Sequence, residues 1–231
     1  MLPDAVHHPA LAHHFDDLGQ QKEAATLGMW VFLVTEVLFF GGLFCVYAVY
    51  RGLYASAFGA ASRELDVTLG AINTGVLITS SLTMALAVHA AQTGRRTALV
   101  GFLIATMILG TIFLGIKAVE YRDKFVHHHV PGPSFVFETA DVPAEMLRAD
   151  PGLTRHVQIF FSLYFVMTGL HALHMIIGLG IMTWMLWWSW RGRISAEYYS
   201  PIEVSGLYWH FVDIVWIFLF PLLYLIGRHA H

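Results

Sequence analysis

The chain contains five apolar runs that are each long enough to cross a lipid bilayer. A hydrocarbon core of about 30 Å requires about 20 residues of α-helix, and only helices or closed barrels can span lipid. None of the runs has the alternation of period two that a barrel strand would show. The sequence therefore predicts an all-α, polytopic membrane protein with one bundle of five transmembrane helices, at about 27–50, 68–91, 97–119, 157–189 and 203–226.

The composition agrees with a membrane location. Of the 231 residues, 57% are hydrophobic and only 13% are charged, whereas about a quarter of the residues in a soluble domain are charged. The small net charge of −3 indicates no nucleic-acid partner. A single cysteine, Cys45, excludes an intramolecular disulfide and a Cys-rich metal site, and we expect it to be a small apolar core residue.

The connections between the runs predict the orientation of the chain. The two short loops at 92–96 and 189–194 carry only positive charges and lie on the same side as the N-terminal segment 1–26. Short basic loops stay in the cytoplasm, and long loops such as 121–156 cross largely regardless of charge. We therefore expect a single membrane domain, 27–226, with a cytoplasmic N-terminus, a polar outer loop and an outer C-terminal tail, 227–231.

Glu36 is the only charged residue between Leu27 and Tyr50. A charge at the bilayer centre costs about 2.5–3.5 kcal/mol on insertion scales, so we expect Glu36 to be protonated and to face its own bundle. Its candidate partners are the hydroxyl groups of the second run and the histidines of the fourth. A purely structural hydrogen bond and a proton-linked role are both left open. The second run contains the hydroxyl residues Thr74, Thr79, Ser80, Ser81 and Thr83, together with the amide Asn73.

Polar residues in the last two runs also fall on defined helix faces. His171 and His174 are three residues apart, near the middle of the fourth run. In the fifth run one stripe of about 80° must face protein rather than lipid. Its members are Glu203, Gly206, His210 and Asp213.

Three further polar residues are expected to have structural or lipid-contact roles. Lys117 and Glu120 are three residues apart near the outer interface, which indicates an ion pair on one helix face. His89 lies near the cytoplasmic end of the second run, where a structural contact or a lipid headgroup would meet it.

Metal binding is the main alternative role for these histidines and carboxylates. A di-iron bundle needs two Glu-x-x-His motifs and a zincin needs His-Glu-x-x-His; neither occurs. The exposed triplet at 127–129 indicates incidental binding at most. Four intramembrane histidines could on paper hold two haems, so a five-helix dihaem membrane anchor is the alternative from a different class. They are His89, His171, His174 and His210.

Each run contains a stretch that resembles, in the same order, a span of subunit III of the haem-copper oxidases, most closely cytochrome c oxidase subunit III. The mitochondrial-type subunit has two additional N-terminal spans, so the resemblance is to the short bacterial form. The lipid-filled cleft that those two spans help to enclose does not carry over by resemblance. The stretches are "GMWVFLVTEVLFFGG", "AINTGVLITSSLTMALAVHA", "LGTIFLGIKAVEY", "FFSLYFVMTGLHALHMIIG" and "GLYWHFVDIVWIFLF".

The resemblance implies a subunit without a redox centre in the bacterial cytoplasmic membrane. It implies that haem and copper lie in partner subunits, that the chain packs on subunit I in a complex with subunit II, and that it supports proton uptake, sustained turnover and phospholipid binding. No catalytic residue or metal ligand is expected. Glu36 matches the family's buried carboxylate. The other matching positions are His171, His174, Glu203, His210 and Asp213.

Two related functions remain as alternatives. Quinol oxidases use a similar five-span subunit III, and nitric oxide reductase clusters can encode a family member. The uninterrupted "YWHFVDIVWIFLF" favours the oxygen-reducing branch. Within that branch, the residues of this chain do not indicate whether cytochrome c or quinol is the electron donor.

Overall fold

The computed structural model describes residues 11–133, 135–137 and 144–226, and all regular structure within these residues is helical. Five helices in this part of the chain are long and apolar enough to cross a membrane, namely α1, α3, α4, α6 and α7. The predicted all-α, five-span architecture is therefore confirmed. The helices are α1 (Leu18–Leu53), α2 (Ala55–Arg63), α3 (Val67–Gln92), α4 (Arg96–Val126), α5 (Ala144–Ala149), α6 (Leu153–Trp190) and α7 (Ser200–Phe220).

The membrane-length helices extend beyond the apolar runs that predict them. The predicted spans end where the first charged residues interrupt the apolar run, whereas a helix continues until a capping or helix-breaking residue ends it. Thus α4 runs on to Val126 and α6 already begins at Leu153, which shortens the polar connection expected at 121–156. At the start of α1, the side chain of Asp17 caps the helix by accepting a hydrogen bond from the backbone N–H of Gln20 at 2.8 Å.

Helix α7 lies at the centre of the bundle and packs against α1, α3 and α6. Over the most apolar 18 residues of this helix 56% are buried, compared with 17% over the corresponding stretch of α1, which lies at the periphery. Close approach around Trp209 depends on two glycines. A Cβ added at Gly110 or Gly178 would lie within 3.0 Å of the indole ring, so these positions in α4 and α6 let α7 pack closely.

The chain connections fall at the two ends of the bundle in the predicted arrangement. At one end Lys22 near the start of α1 pairs with Glu203 near the start of α7 at 3.1 Å. At the same end Arg96 of α4 donates to the carbonyl oxygen of Ser189 in α6 at 2.9 Å. The start of α1 and the two short basic loops therefore share one end, as expected. This end is called the N-terminal end and the opposite one the outer-loop end.

At the outer-loop end, α7 closes with a π-helical turn at Pro221–Leu225. Tyr47 of α1 donates its hydroxyl to the Leu222 carbonyl oxygen in this turn. Lys124 of α4 donates to the Glu64 carbonyl oxygen just after α2. These side chains supply donors to backbone carbonyls that a regular helix would otherwise leave unpaired at its end.

The expectation for Cys45 is wrong. Its side chain is exposed on the surface of α1 instead of packing in the core. The reason is the peripheral position of α1, which buries only a narrow side against α6 and α7 and leaves most of its apolar residues on the outer surface.

Candidate functional site

Glu36 of α1 faces His174 of α6 inside the bundle. The distance from Glu36 Oε2 to His174 Nε2 is 3.2 Å, and the two side chains are 19% and 13% exposed. Of the two sets of partners that the sequence allowed, the structure selects the histidines of the fourth run. The expected inward orientation of Glu36 is therefore present.

The second ring nitrogen limits the ways in which protons can be distributed in this pair. His174 Nδ1 lies 2.8 Å from the Leu170 carbonyl oxygen, and a carbonyl can only accept, so Nδ1 carries a hydrogen. Nε2 then either accepts a hydrogen bond from a protonated Glu36 or, as imidazolium, donates one to a carboxylate. In both states the pair holds one exchangeable proton and has no net charge.

A groove between α1, α6 and α7 opens onto this pair. Its volume is about 440 Å³, and its walls are apolar and aromatic apart from the Glu36–His174 pair and Ser205. Tyr208 of α7 donates to the His174 carbonyl oxygen at 3.0 Å and so fixes the wall beside the imidazole. The pair is thus close to the surface of the bundle.

His171 does not join the pair. It is 1% exposed, and its Nε2 lies 3.1 Å from the Val212 carbonyl oxygen in α7. Its ring packs between Phe113 and Trp216, with centroid distances of 5.4 and 5.3 Å. The two histidines of the motif therefore differ in role: His171 ties α6 to the backbone of α7, and His174 faces Glu36.

The polar stripe of α7 faces protein, as predicted. Glu203 pairs with Lys22 at the N-terminal end, and His210 Nδ1 lies 2.7 Å from the Ser81 hydroxyl of α3. Gly206 packs against α3, where an added Cβ would meet Val88 at 2.9 Å.

Asp213 completes the stripe and is 3% exposed. Neither of its carboxyl oxygens has a hydrogen bond of ordinary geometry to another described residue, although the Ser81 hydroxyl is an electrostatic neighbour. A buried carboxyl without a strong partner is stable in lipid surroundings only as the neutral acid. Asp213 is therefore a second internal acid, separate from Glu36.

Lys117 and Glu120 form the predicted ion pair at 3.0 Å, but it is fully enclosed. Lys117 Nζ also donates to the hydroxyls of Tyr164 and Tyr224 at 3.1 and 3.0 Å. Both hydroxyls in turn donate to Glu120 Oε1. These four residues are named the tyrosine cage; they join α4, α6 and the π-helical turn after α7.

Sequence reasoning found the two charges of the cage and missed its tyrosines. Tyr164 and Tyr224 are ordinary aromatic residues in apolar runs, and only the fold brings them to the ion pair. The available signal was indirect: a charged pair inside a membrane-length run requires further donors and acceptors. The same holds for Lys22, whose partner Glu203 lies 181 positions further along the chain.

The remaining predicted residues lie outside these clusters. His89 is exposed on α3, so its expected lipid or structural contact stays a prediction. The expectation of an exposed triplet at 127–129 is wrong for His129, which is 7% exposed because it stacks on Phe161 with a centroid distance of 5.0 Å. Burial lowers the pKa of His129 to about 4, and the positive charge of Lys124 acts in the same direction.

The histidines are poorly placed to ligate haem. His174 uses both ring nitrogens within the bundle, and His171 is enclosed by aromatic rings and a backbone carbonyl. Within the described residues, no three His, Cys, Asp or Glu side chains form a group that could hold a metal ion. Two of the four histidines on which the dihaem anchor depends, His171 and His174, therefore make other contacts within the bundle.

Comparison with known proteins agrees with this geometry. Residues 12–141 and 144–228 match the family described as Cytochrome c oxidase subunit III. The chain belongs to this family. It is 30% identical over 214 residues to cytochrome c oxidase subunit 3 of Thermostichus vulcanus, which covers 92% of each chain.

Members that use different electron donors are about equally similar to this subunit III chain. Quinol oxidase subunit 3 of Bacillus subtilis is 34% identical over 202 residues, which cover 87% of this chain and 86% of the relative. Cytochrome bo(3) ubiquinol oxidase subunit 3 of Pseudomonas aeruginosa is 27% identical over 218 residues, which cover 94% and 92%. The chain is thus a subunit III of the haem-copper oxidase family, in which haem and copper lie in other subunits.

Proposed function

We propose that this chain is the subunit III without redox centres of an oxygen-reducing haem-copper terminal oxidase, with cytochrome c as the electron donor. In this function it packs on subunit I, in a complex that contains subunit II. It supports proton uptake and sustained turnover and binds membrane phospholipid. None of its own residues reacts with oxygen.

The Glu36–His174 pair is the observation that carries this proposal. It holds one exchangeable proton, remains partly exposed, and borders a groove at the surface of the bundle. A pair of this kind can change its internal charge distribution without changing its net charge. Such a change is suited to tuning proton delivery in a neighbouring subunit rather than to bond chemistry.

The other predicted polar residues have supporting roles in this proposal. His171 and His210 keep α7 in register with α6 and α3, and Glu203 holds the N-terminal end through Lys22. Asp213 is a buried acid on the same stripe of α7. His89 faces lipid. The tyrosine cage around Lys117 and Glu120 holds the outer-loop end of the bundle together.

The identity of the electron donor rests on subunit II, because this proposal places no redox centre in the present chain. The experiment is to isolate the intact complex through an affinity tag on this chain and to identify its partners and its absorption and copper spectra. We expect a haem- and copper-containing subunit I and a subunit II with a dinuclear copper site. A subunit II without that copper would instead favour the quinol oxidase, and a partner that reduces nitric oxide would favour the reductase.

The same preparation tests the alternative from a different class. If the chain purified alone and carried haem bands that disappeared on substitution of His171 or His210, the dihaem anchor would replace the oxidase subunit. Subunit I bound to a colourless chain is the expected result.

We also propose that the N-terminal end of the bundle lies in the cytoplasm, in a bacterial cytoplasmic membrane, and that the C-terminus lies outside. Arg95, in one of the two short basic loops at that end, provides the test. An Arg95→Cys variant in a Cys45→Ser background should react with an impermeant thiol reagent only after the membrane is opened. Reaction in intact cells would reverse the orientation.

A further inference from the structure

A second groove follows the line where α7 meets α1, on a different side of α1 from the groove at Glu36. Its volume is about 430 Å³, and apart from His210 its lining residues are aliphatic, aromatic or glycine. Although α7 is the most buried of the five membrane-length helices, it exposes Ile214 and Phe218 here, by 51% and 55%. Val37 of α1, on the opposite wall, is 57% exposed. The central helix of the bundle therefore has an open apolar face.

His210 places a polar atom in this groove near the middle of the membrane. It follows Ser200, the first residue of α7, by ten positions, which is about 15 Å along the helix, or half of a hydrocarbon core of about 30 Å. Its Nδ1 lies 2.7 Å from the Ser81 hydroxyl, but no described residue forms a hydrogen bond with its Nε2. A lipid headgroup does not reach this depth, and an acyl chain offers no hydrogen bond. A polar atom without a partner is costly there.

The hydroxyl groups of α3 indicate which nitrogen of His210 carries the hydrogen. Thr74, Thr79 and Thr83 donate their hydroxyls to backbone carbonyl oxygens of their own helix, whereas the Ser81 hydroxyl contacts His210 Nδ1. When Ser81 donates, Nδ1 is the acceptor and the neutral imidazole carries its hydrogen on Nε2. The groove thus presents one N–H donor between apolar walls. An occupant that satisfies it must supply a hydrogen-bond acceptor at this depth.

A transmembrane helix of a partner chain meets both requirements. Its aliphatic side chains can fill the apolar groove, and a hydroxyl, amide or carboxyl side chain on the same helix can accept from Nε2 at a fixed depth. Transmembrane helices associate through close packing combined with hydrogen bonds of this kind. A lipid chain would fill the groove and leave the imidazole nitrogen without a partner. The single polar atom therefore distinguishes a protein occupant from a lipid one.

We propose that this face binds a transmembrane helix of a partner subunit, with a hydrogen-bond acceptor of that helix opposite His210. The face is named the α1–α7 docking face and comprises Val37, His210, Ile214, Phe218 and the groove between them. This inference deepens the packing on subunit I described above. Only the naming of the partner as subunit I rests on the proposed function, because the groove and the free donor belong to this chain.

Photo-cross-linking in intact membranes tests which molecule covers the docking face. A benzophenone amino acid replaces Ile214 in the tagged chain. The matched control replaces Ile108, which is 56% exposed on α4 and does not line the groove. We expect the residue at 214 to cross-link to a membrane helix of subunit I that has a polar side chain at the depth of His210. The residue at 108 should give little of this product.

Substitution of His210 tests the hydrogen bond itself. His210→Phe keeps a ring but removes the N–H, and the ratio of bound to free partner subunit in detergent should fall about threefold, equivalent to roughly 0.6 kcal/mol for an average interhelical hydrogen bond in a membrane. His210→Gln restores a donor and should recover most of this loss. Ser81→Ala is the structural control: it breaks the internal bond to Nδ1 but leaves Nε2 at the groove, so the partner should be retained.

Several results would overturn the proposal. They are cross-links from position 214 to lipid alone or to a second copy of this chain, equal cross-linking to subunit I from position 108, and equal loss of the partner in Ser81→Ala and His210→Phe. Cross-linking from position 214 to a transmembrane helix of an identified protein outside the oxidases, with an acceptor opposite His210, would support the docking face and refute the proposed function. The two claims therefore fail separately.

Discussion

Two acid–base pairs lie inside this bundle, and their surroundings differ. In the tyrosine cage, Lys117 and Glu120 are 3.0 Å apart and 4% and 3% exposed, and two tyrosine hydroxyls contact both charges. Glu36 and His174 are 3.2 Å apart, are several times more exposed, and border a groove. The first pair is saturated with partners, and the second can still gain one.

This difference in burial indicates different roles for the two pairs: one stabilises the bundle, and the other can exchange a proton. A buried ion pair whose hydrogen bonds are all made is costly to break and has nothing left with which to bind another group. In a partly exposed pair that shares one proton, the proton can shift between carboxyl and imidazole at low cost, because the net charge stays zero. We therefore assign the tyrosine cage to holding the bundle together and the Glu36–His174 pair to the exchangeable function.

Breaking the tyrosine cage should give the largest effect. Lys117→Met leaves Glu120 buried without its cation, which we expect to lower the free energy of unfolding by about 3–5 kcal/mol. The measurement is thermal or denaturant unfolding of the detergent-solubilised protein. The matched variant is Lys117→Met/Glu120→Gln, which should recover part of that loss because no unpaired charge remains. If both single and double variants were as stable as the wild type, the cage would not hold the bundle together.

Tyrosine-to-phenylalanine changes compare the two regions directly. Tyr224→Phe removes two charge-assisted hydrogen bonds from the cage and should cost about 1.5–3 kcal/mol. Tyr208→Phe removes one neutral bond to the His174 carbonyl oxygen and should cost about 0.5–1.5 kcal/mol. Unfolding midpoints of the two variants provide the comparison. A larger loss for Tyr208→Phe would reverse the assignment of stability to the cage.

The sequence predicted the elements of these two regions better than their contacts. Apolar length determines a membrane helix, because backbone hydrogen bonds must be satisfied in lipid, so the five spans could be located. The orientation of Glu36 towards the bundle and the stripe at His210 and Asp213 followed from the cost of polar groups in lipid. The sequence therefore predicts which residues face away from lipid.

The pairing of these residues required the tertiary structure. Local spacing identifies Lys117 and Glu120 as neighbours, but Tyr224 reaches them only because a π-helical turn after Pro221 extends α7. The wrong expectation for Cys45 has a different cause. Glu36 marks the buried side of α1, and Cys45, nine residues later, lies about 180° away around the helix, on the outer side.

Protonation of His129, a buried histidine outside the spans, should have a smaller effect on stability, within a defined pH range. Burial lowers the pKa of His129 to about 4 in the folded protein, below its ordinary value of 6.5. The unfolded segment binds a proton below pH 6.5 and the folded one only near pH 4, so stability is present at neutral pH and falls as the pH drops between these values.

Amide hydrogen exchange of residues 127–133 checks this effect. We expect exchange in this segment to increase as the pH is lowered from 6.5 to 4, after correction for the intrinsic rate. His129→Leu should remove the increase, whereas His128→Leu should keep it, because His128 is exposed. An identical pH response in the wild type and the His129→Leu variant would contradict the assignment.

The most direct test of the central claim is the turnover lifetime of the assembled oxidase with Glu36→Gln. The amide nearly matches a protonated carboxyl in shape, so the complex should assemble with its full haem content. Initial oxygen reduction should be retained, and the number of turnovers before inactivation or the rate of proton uptake should change several-fold. Complete loss of oxygen reduction in a haem-replete complex would show a direct chemical role. An unchanged lifetime with unchanged proton uptake would reduce Glu36 to an interhelical hydrogen bond and contradict the account.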